Sequence, residues 1–123
     1  MKTVLVVDDD PFIIDLLTRQ LEKKELRVIS STDPETAYSM AEEQKPDLIL
    51  SDIAMPAIDG FTLLKGLRQN KVTCNIPLVL LTGSDRMADV EEAFLAGAQA
   101  YLLKPLDWET AWPKLQTLLS PAA

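Results

Sequence analysis

Apolar residues along this chain come in short blocks separated by polar punctuation. Residues 3–7, TVLVV, are a β-branched and leucine run with apolar character on both faces, the pattern of a strand buried on both sides. Pro11 suits the first turn of a helix, and from Phe12 to Lys24 the residues Ile13, Leu16, Leu17 and Leu21 recur at helical spacing. Arg27 to Ser30 predicts a second short strand. Thr32 or Asp33 can cap a helix from Pro34 to about Gln44, with Ala37, Met40 and Ala41 turned inward. Lys45-Pro46-Asp47 breaks it, and Leu48 to Ser51 reads as a third strand.

The second half repeats the alternation. After a turn at Asp59-Gly60, Phe61, Leu64 and Leu67 mark one stripe of a helix that reaches about Arg68. A polar loop to Pro77 leads into a fourth strand, Leu78 to Leu81, ended by Thr82-Gly83-Ser84. Asp85 can cap a helix from Arg86 to Ala96, with Gly97 as its stop. Ala100 to Leu103 is a fifth strand, and Trp108 to Leu119 a last helix. Pro113 inside it predicts a kink or a start nearer Ala111.

Strands apolar on both faces, alternating with helices, predict one α/β domain over residues 1–123 with a doubly wound parallel sheet covered on both sides. Right-handed crossovers then bring every strand's carboxyl end to the same edge. No sequence repeat and no linker interrupts the five strand–helix units.

Composition narrows the chemistry. The chain is 47% hydrophobic and 25% charged, and carries 19 acids against 12 bases for a net charge of -7. That balance predicts no direct nucleic-acid partner and no anionic membrane surface. There is no histidine, which removes histidine-based triads and zinc sites, and Cys74 is the one cysteine, which removes thiolate clusters and an intrachain disulfide. No segment approaches the roughly 20 apolar residues of a membrane span, and the N-terminus turns acidic too early for a signal peptide. A cytoplasmic protein is the expectation.

Four of the five strand ends carry reactive groups: Asp8 and Asp9, Asp52, Thr82, and Lys104. Each alone has a plain structural explanation, such as a helix cap, a turn or a solvated charge. Four at one sheet edge form a set. Neighbouring carboxylates repel and raise one another's pKa values unless a cation sits among them. Oxygen-only ligands point to Mg²⁺, with Mn²⁺ as the other candidate. Asp52 is then the nucleophile, since a carboxylate can form an acyl-phosphate. Lys104 can neutralise a phosphoryl oxygen on the side away from the metal, and the Thr82 hydroxyl can bind another. No Gly-x-x-x-x-Gly-Lys-Ser/Thr loop is present, so nucleotide hydrolysis of that kind is not supported.

The pieces VVDDDP at 6–11, SDIAMPAIDG at 51–60, LLTG at 80–83 and GAQAYLLKP at 97–105, in this order and spacing, resemble the receiver domain of bacterial two-component response regulators. The resemblance covers the whole chain. It implies a (βα)5, flavodoxin-like fold with strand order 2-1-3-4-5, and transfer of a phosphoryl group from a sensor histidine kinase or phosphotransfer protein onto Asp52. It implies that Asp9 and Asp52 ligate Mg²⁺ directly, that Asp8 acts mainly through a metal-bound water, and that Ala54 offers its carbonyl. It further implies that Thr82 and Lys104 bind the phosphoryl group, and that Thr82 and Tyr101 form the switch. Read without the family, Tyr101 is a packed strand aromatic, and only the resemblance reverses that reading. The fourth helix, fifth strand and last helix would then present a face to a downstream partner or output domain. Whether that face also forms a phosphorylation-dependent homodimer stays open.

Two other functions have to be weighed. A pseudo-receiver would use the fold only as a protein-interaction module, which the intact acidic cluster, Thr82 and Lys104 argue against. A Mg²⁺-dependent phosphatase would need a second water-activating group and a substrate pocket, and neither is legible. Flavin binding lacks a phosphate loop after the first strand. The expected turnover is therefore limited to self-phosphorylation from a donor and slow autodephosphorylation. On the last helix, Trp112 reads either as core or as part of a partner surface. The protein is either a stand-alone receiver or the receiver of something longer.

Ala54 and Ser84 stand two residues beyond Asp52 and Thr82, where family side chains tune loss of the phosphate. Ala54 is too short to position a water, so the acyl-phosphate should persist for minutes or longer. Loss of labelled phosphate within seconds, in the presence of Mg²⁺, would contradict this.

Overall fold

The computed structural model describes residues 1–52, 60–83, 91, 94, 95, 97–104 and 106–119. Strands β1 (Thr3–Val7), β2 (Arg27–Ser31), β3 (Leu48–Asp52), β4 (Leu78–Thr82) and β5 (Ala100–Leu103) form one sheet. It is parallel throughout, in the order β2-β1-β3-β4-β5. The alternation of short apolar runs with helical stripes therefore folds as a doubly wound sheet. Helices α1 (Pro11–Glu22) and α4 (Trp108–Leu119) cover one face, and α2 (Pro34–Gln44) and α3 (Gly60–Gln69) the other.

Successive strand residues point to opposite faces, and the two cores divide accordingly. Leu5, Val7, Ile49, Leu78 and Leu80 pack with Ala37, Ala41, Leu64 and Leu67 under α2 and α3. Val4, Val6, Leu48, Leu50, Val79 and Leu81 pack with Leu17, Leu21, Ala111 and Leu115 under α1 and α4. Every residue of β3 and β4 is buried. At about 1.5–3 kcal/mol for each fully buried Leu, Ile or Val, these central strands form the rigid part of the molecule.

The helix starts follow local chemistry. Asp10 caps α1 by accepting a hydrogen bond from the Phe12 amide at 2.9 Å, with Pro11 in the first turn. Asp33, rather than Thr32, caps α2, and hydrogen bonds from the Thr36 hydroxyl and amide hold its carboxyl below the usual aspartate value. Asp107 caps α4 through Glu109 and Thr110. This cap places the helix start at Trp108, so Pro113 lies inside α4 and a start near Ala111 is not adopted.

One side-chain assignment differs from expectation. Leu16 is exposed, and Ile14 takes its place beside Ile13, Leu17 and Leu21 on the packed face of α1. Trp112 is half-buried. It stacks on Trp108 with ring centroids 5.8 Å apart, and the Lys24 ammonium lies 5.2 Å from its ring centroid. The expected Arg86–Ala96 helix lies largely outside the described residues. Its stop is seen, because Gly97 has φ +106° and its amide bonds to the Phe94 carbonyl.

Arg68, near the end of α3, ties three segments together. Its guanidinium donates to the carbonyls of Gly97 at 3.0 and 3.1 Å and of Cys74 at 3.2 Å, and to the Gln99 side chain at 2.9 Å. The same Gln99 oxygen accepts the Leu78 amide at 2.8 Å. Burial pushes the Arg68 pKa below the usual arginine value. A Cβ at position 97 would meet the Arg68 side chain at 3.0 Å, so glycine there serves both the positive φ and the close approach. Arg68→Ala should destabilise the fold by about 1.5–3 kcal/mol, the usual value of hydrogen bonds to a charged donor. A urea midpoint unchanged from wild type would contradict the latch.

Candidate functional site

In a sheet ordered 2-1-3-4-5, the chain leaves β1 for one edge and later leaves β3 for the other. β1 and β3 lie side by side where the strand order reverses, the place at whose carboxyl edge open α/β sheets hold their ligands. Asp8 and Asp9 follow β1, and Asp52 is the last residue of β3. The register pairs Val7 with Ser51, which sets the first acids beside the third.

Oxygens of Asp8, Asp9 and Asp52 lie within 4.8 Å of one another. Asp8 is fully buried and Asp52 is 7% exposed, whereas Asp9 faces solvent. Burying charge is expensive without compensation, and two contacts supply it. The Asp10 amide donates to Asp8 Oδ1 at 2.9 Å. Lys104 Nζ stands 3.0 Å from Asp8 Oδ2 and 3.3 Å from Asp52 Oδ1. Partial burial lowers the Lys104 pKa, but hydrogen bonding and attraction from Asp8 and Asp52 outweigh it, so the net shift is upward from 10.5.

The Lys104 amide donates to the Thr82 carbonyl at 2.7 Å. The ends of β4 and β5 are thereby joined, and Thr82 is nearly buried at the same edge. Asp8, Asp9, Asp52, Thr82 and Lys104 thus end at one edge, with the three acids clustered and the lysine paired with Asp8 and Asp52. Tyr101 lies off the cluster, beside Phe94 and Lys114. Ala54 and Ser84 lie outside the described residues.

Sequence reasoning missed three contributors. Asp10 joins the cluster through its amide while its side chain caps α1, and a run of three aspartates does not announce that division of labour. Lys114 and Phe94 meet Tyr101 from separate helical stretches, with no local pattern to connect them.

The donor set suits a hard divalent cation. All three acids offer oxygen, and among the described residues one ammonium faces them. Asp9 keeps the cluster open to solvent, so a partly hydrated ion can enter.

The family model for the response regulator receiver domain matches residues 4–115. The chain belongs to this family. The receiver is 36% identical over 119 residues to the DNA-binding dual master transcriptional regulator RpaA of Synechocystis, covering 97% of this chain and 49% of that protein. It is 33% identical to protein PilH of Pseudomonas aeruginosa, covering 98% of this chain and 99% of PilH. It therefore spans about half of the first relative and nearly all of the second. Among solved structures, it superimposes on the receiver domain of sensor histidine kinase PA1611 of P. aeruginosa with a TM-score of 0.87 and 28% identity, covering 96% of this chain and 97% of that one. That structure holds a magnesium ion coordinated in its active-site cleft. Receiver domains as a class bind Mg²⁺ at an acidic pocket and interact with histidine kinases and output domains. No helix among the described residues is long and apolar enough to cross a membrane.

The raised Lys104 pKa has a consequence in metal-free buffer. Its stabilising contribution is fully present below 10.5 and is lost as pH rises through the higher folded value. Lys104→Met should therefore be less stable than wild type near neutrality, with the two urea midpoints converging in strongly alkaline solution. A gap that stays constant to that pH would contradict the pairing.

Proposed function

We propose that this receiver is a phosphorylatable signalling switch that takes a phosphoryl group from a histidine kinase or phosphotransfer protein onto Asp52. The observation that carries this reading is the buried Asp52 carboxylate at the sheet edge, clustered with Asp8 and Asp9 and paired with Lys104, which also reaches Asp8. A carboxylate oxygen of Asp52 attacks the donor phosphorus, the phosphorus–nitrogen bond of the phosphohistidine breaks, and the imidazole leaves with the bonding electrons. The product is an acyl-phosphate.

Asp8, Asp9 and Asp52 would hold Mg²⁺, Asp8 mainly through water, with the Ala54 carbonyl as a further ligand. Bound there, Mg²⁺ offsets the negative charge that Asp52 and the phosphoryl oxygens bring together. Lys104 already stands 3.3 Å from Asp52, so its ammonium is placed to bind a phosphoryl oxygen without a long excursion. Thr82 is tied to the same strand end and supplies a hydroxyl. Gathering of Thr82 toward the phosphoryl group, with Tyr101 turning inward, would shift the populations of the β5 and α4 face. We place this action in the cytoplasm, with a downstream protein or output domain as the reader of that face.

Acetyl phosphate with Mg²⁺ should add the mass of one phosphoryl group to the intact protein, and Asp52→Ala should abolish the addition. Chelation of the metal should suppress it as well. Absence of any adduct in wild type, with Mg²⁺ and donor in excess, would instead favour a pseudo-receiver that acts by protein contact alone.

A further inference from the structure

Tyr101 is flanked by two groups that the phosphoryl chemistry does not use. The ring of Phe94 meets it edge-on, with centroids 6.2 Å apart and planes at 80°. Lys114 Nζ, from α4, lies 5.9 Å from the Tyr101 ring centroid. An edge-to-face aromatic pair and a cation over a ring face are both attractive arrangements. Neither partner is sequestered: Phe94 is 48% exposed, and Lys114 is exposed. Tyr101 and Lys114 also line one surface depression of about 210 Å³, together with Leu103 and Leu106. The half-buried ring thus packs on the core under α2 and α3 at the margin of the edge strand β5, with an aromatic edge on one side and an ammonium on another.

We propose that Lys114 is a positioning residue for Tyr101, holding its ring at this margin with Phe94 so that the pair sets the resting balance of the switch. The inference rests on the reading of Tyr101 as the residue that turns when Asp52 is phosphorylated. Both contacts belong to this ring position, since a ring turned toward the sheet edge leaves Lys114 and Phe94 behind. They bias the equilibrium only by what they contribute to that one state. A cation–π contact at an exposed site is worth enough to change a two-state ratio by about two- to fivefold. That is sufficient to tune a switch and too little to lock it. Arginine at 114 would keep the effect, because a guanidinium also stacks on a ring face, whereas glutamine of similar length would lose it.

The chain has two tyrosines, Tyr38 and Tyr101. Tyr38 projects from α2, where its hydroxyl accepts a hydrogen bond from Asn70, and it provides an internal reference. Fluorotyrosine-labelled protein can be followed by fluorine NMR, with and without Mg²⁺ and beryllofluoride as the phosphoryl mimic. In the wild type, the mimic should move the Tyr101 resonance. Lys114→Gln without the mimic should move it part of the way in the same direction, corresponding to a two- to fivefold change in the ratio of ring positions. Lys114→Arg should restore the wild-type position, and the Tyr38 resonance should stay fixed in both variants. If Tyr101 responds to the mimic but Lys114→Gln leaves it in place, or if Lys114→Arg behaves like Lys114→Gln, the clamp is overturned and the switch stands. If the wild-type resonance ignores the mimic while Asp52 still accepts a phosphoryl group, the switch role of Tyr101 falls, and the clamp with it.

Discussion

Three carboxylates converge on one crevice, and the rest of the site is arranged around their mutual repulsion. Two unit charges about 4 Å apart interact by about 4 kcal/mol at an effective dielectric of 20. Three such pairs form among Asp8, Asp9 and Asp52, two of whose members are buried. No small domain holds that arrangement without compensation. Here the compensation comes from Lys104, which reaches both buried acids, and from the Asp10 amide. Among the described residues one ammonium faces three acids, a donor set that suits a hard divalent cation.

The fold supports this cluster by burying β3 and β4 completely. Asp52 ends a strand whose other residues are locked into both cores, so its carboxylate cannot retreat from its neighbours without unpacking the sheet. Lys104 follows β5, an edge strand with a single hydrogen-bonded neighbour. The acids therefore sit on the rigid centre, and the cation that balances them sits on a less constrained element. A change in charge at Asp52 is more readily answered by movement of Lys104 and β5 than by movement of β1 or β3.

Much of this was legible in the residues because strands and helices have different periods. The runs at 3–7, 48–51, 78–81 and 100–103 gave the strands, and the polar residues that end them gave the site. What failed to show was tertiary. Leu16 satisfies the helical spacing of α1 yet faces solvent, because spacing defines a broad face and only packing decides which flank is covered. Pro113 left either a kink or a start nearer Ala111 open, and the Asp107 cap fixes Trp108 as the start with Pro113 inside the helix. The pairing of Lys104 with Asp8 and Asp52 was hidden for a similar reason. Sequence placed its backbone at the right edge, but the direction of a long, flexible side chain is set by the charges it finds there.

Arg68 gives the edge strand its fixed point. By gripping the Gly97 carbonyl and the Gln99 side chain, it anchors the entry to β5, while the β4–β5 ladder continues past the exit through the Lys104 amide and the Thr82 carbonyl. Tyr101 lies between the two, one residue into the strand, within reach of groups from the Phe94 segment and from α4. The chemistry at the sheet edge and the aromatic at the margin of β5 are therefore parts of one short element. That shared element is four residues long, so Tyr101 within it and Lys104 just past its end stand three positions apart.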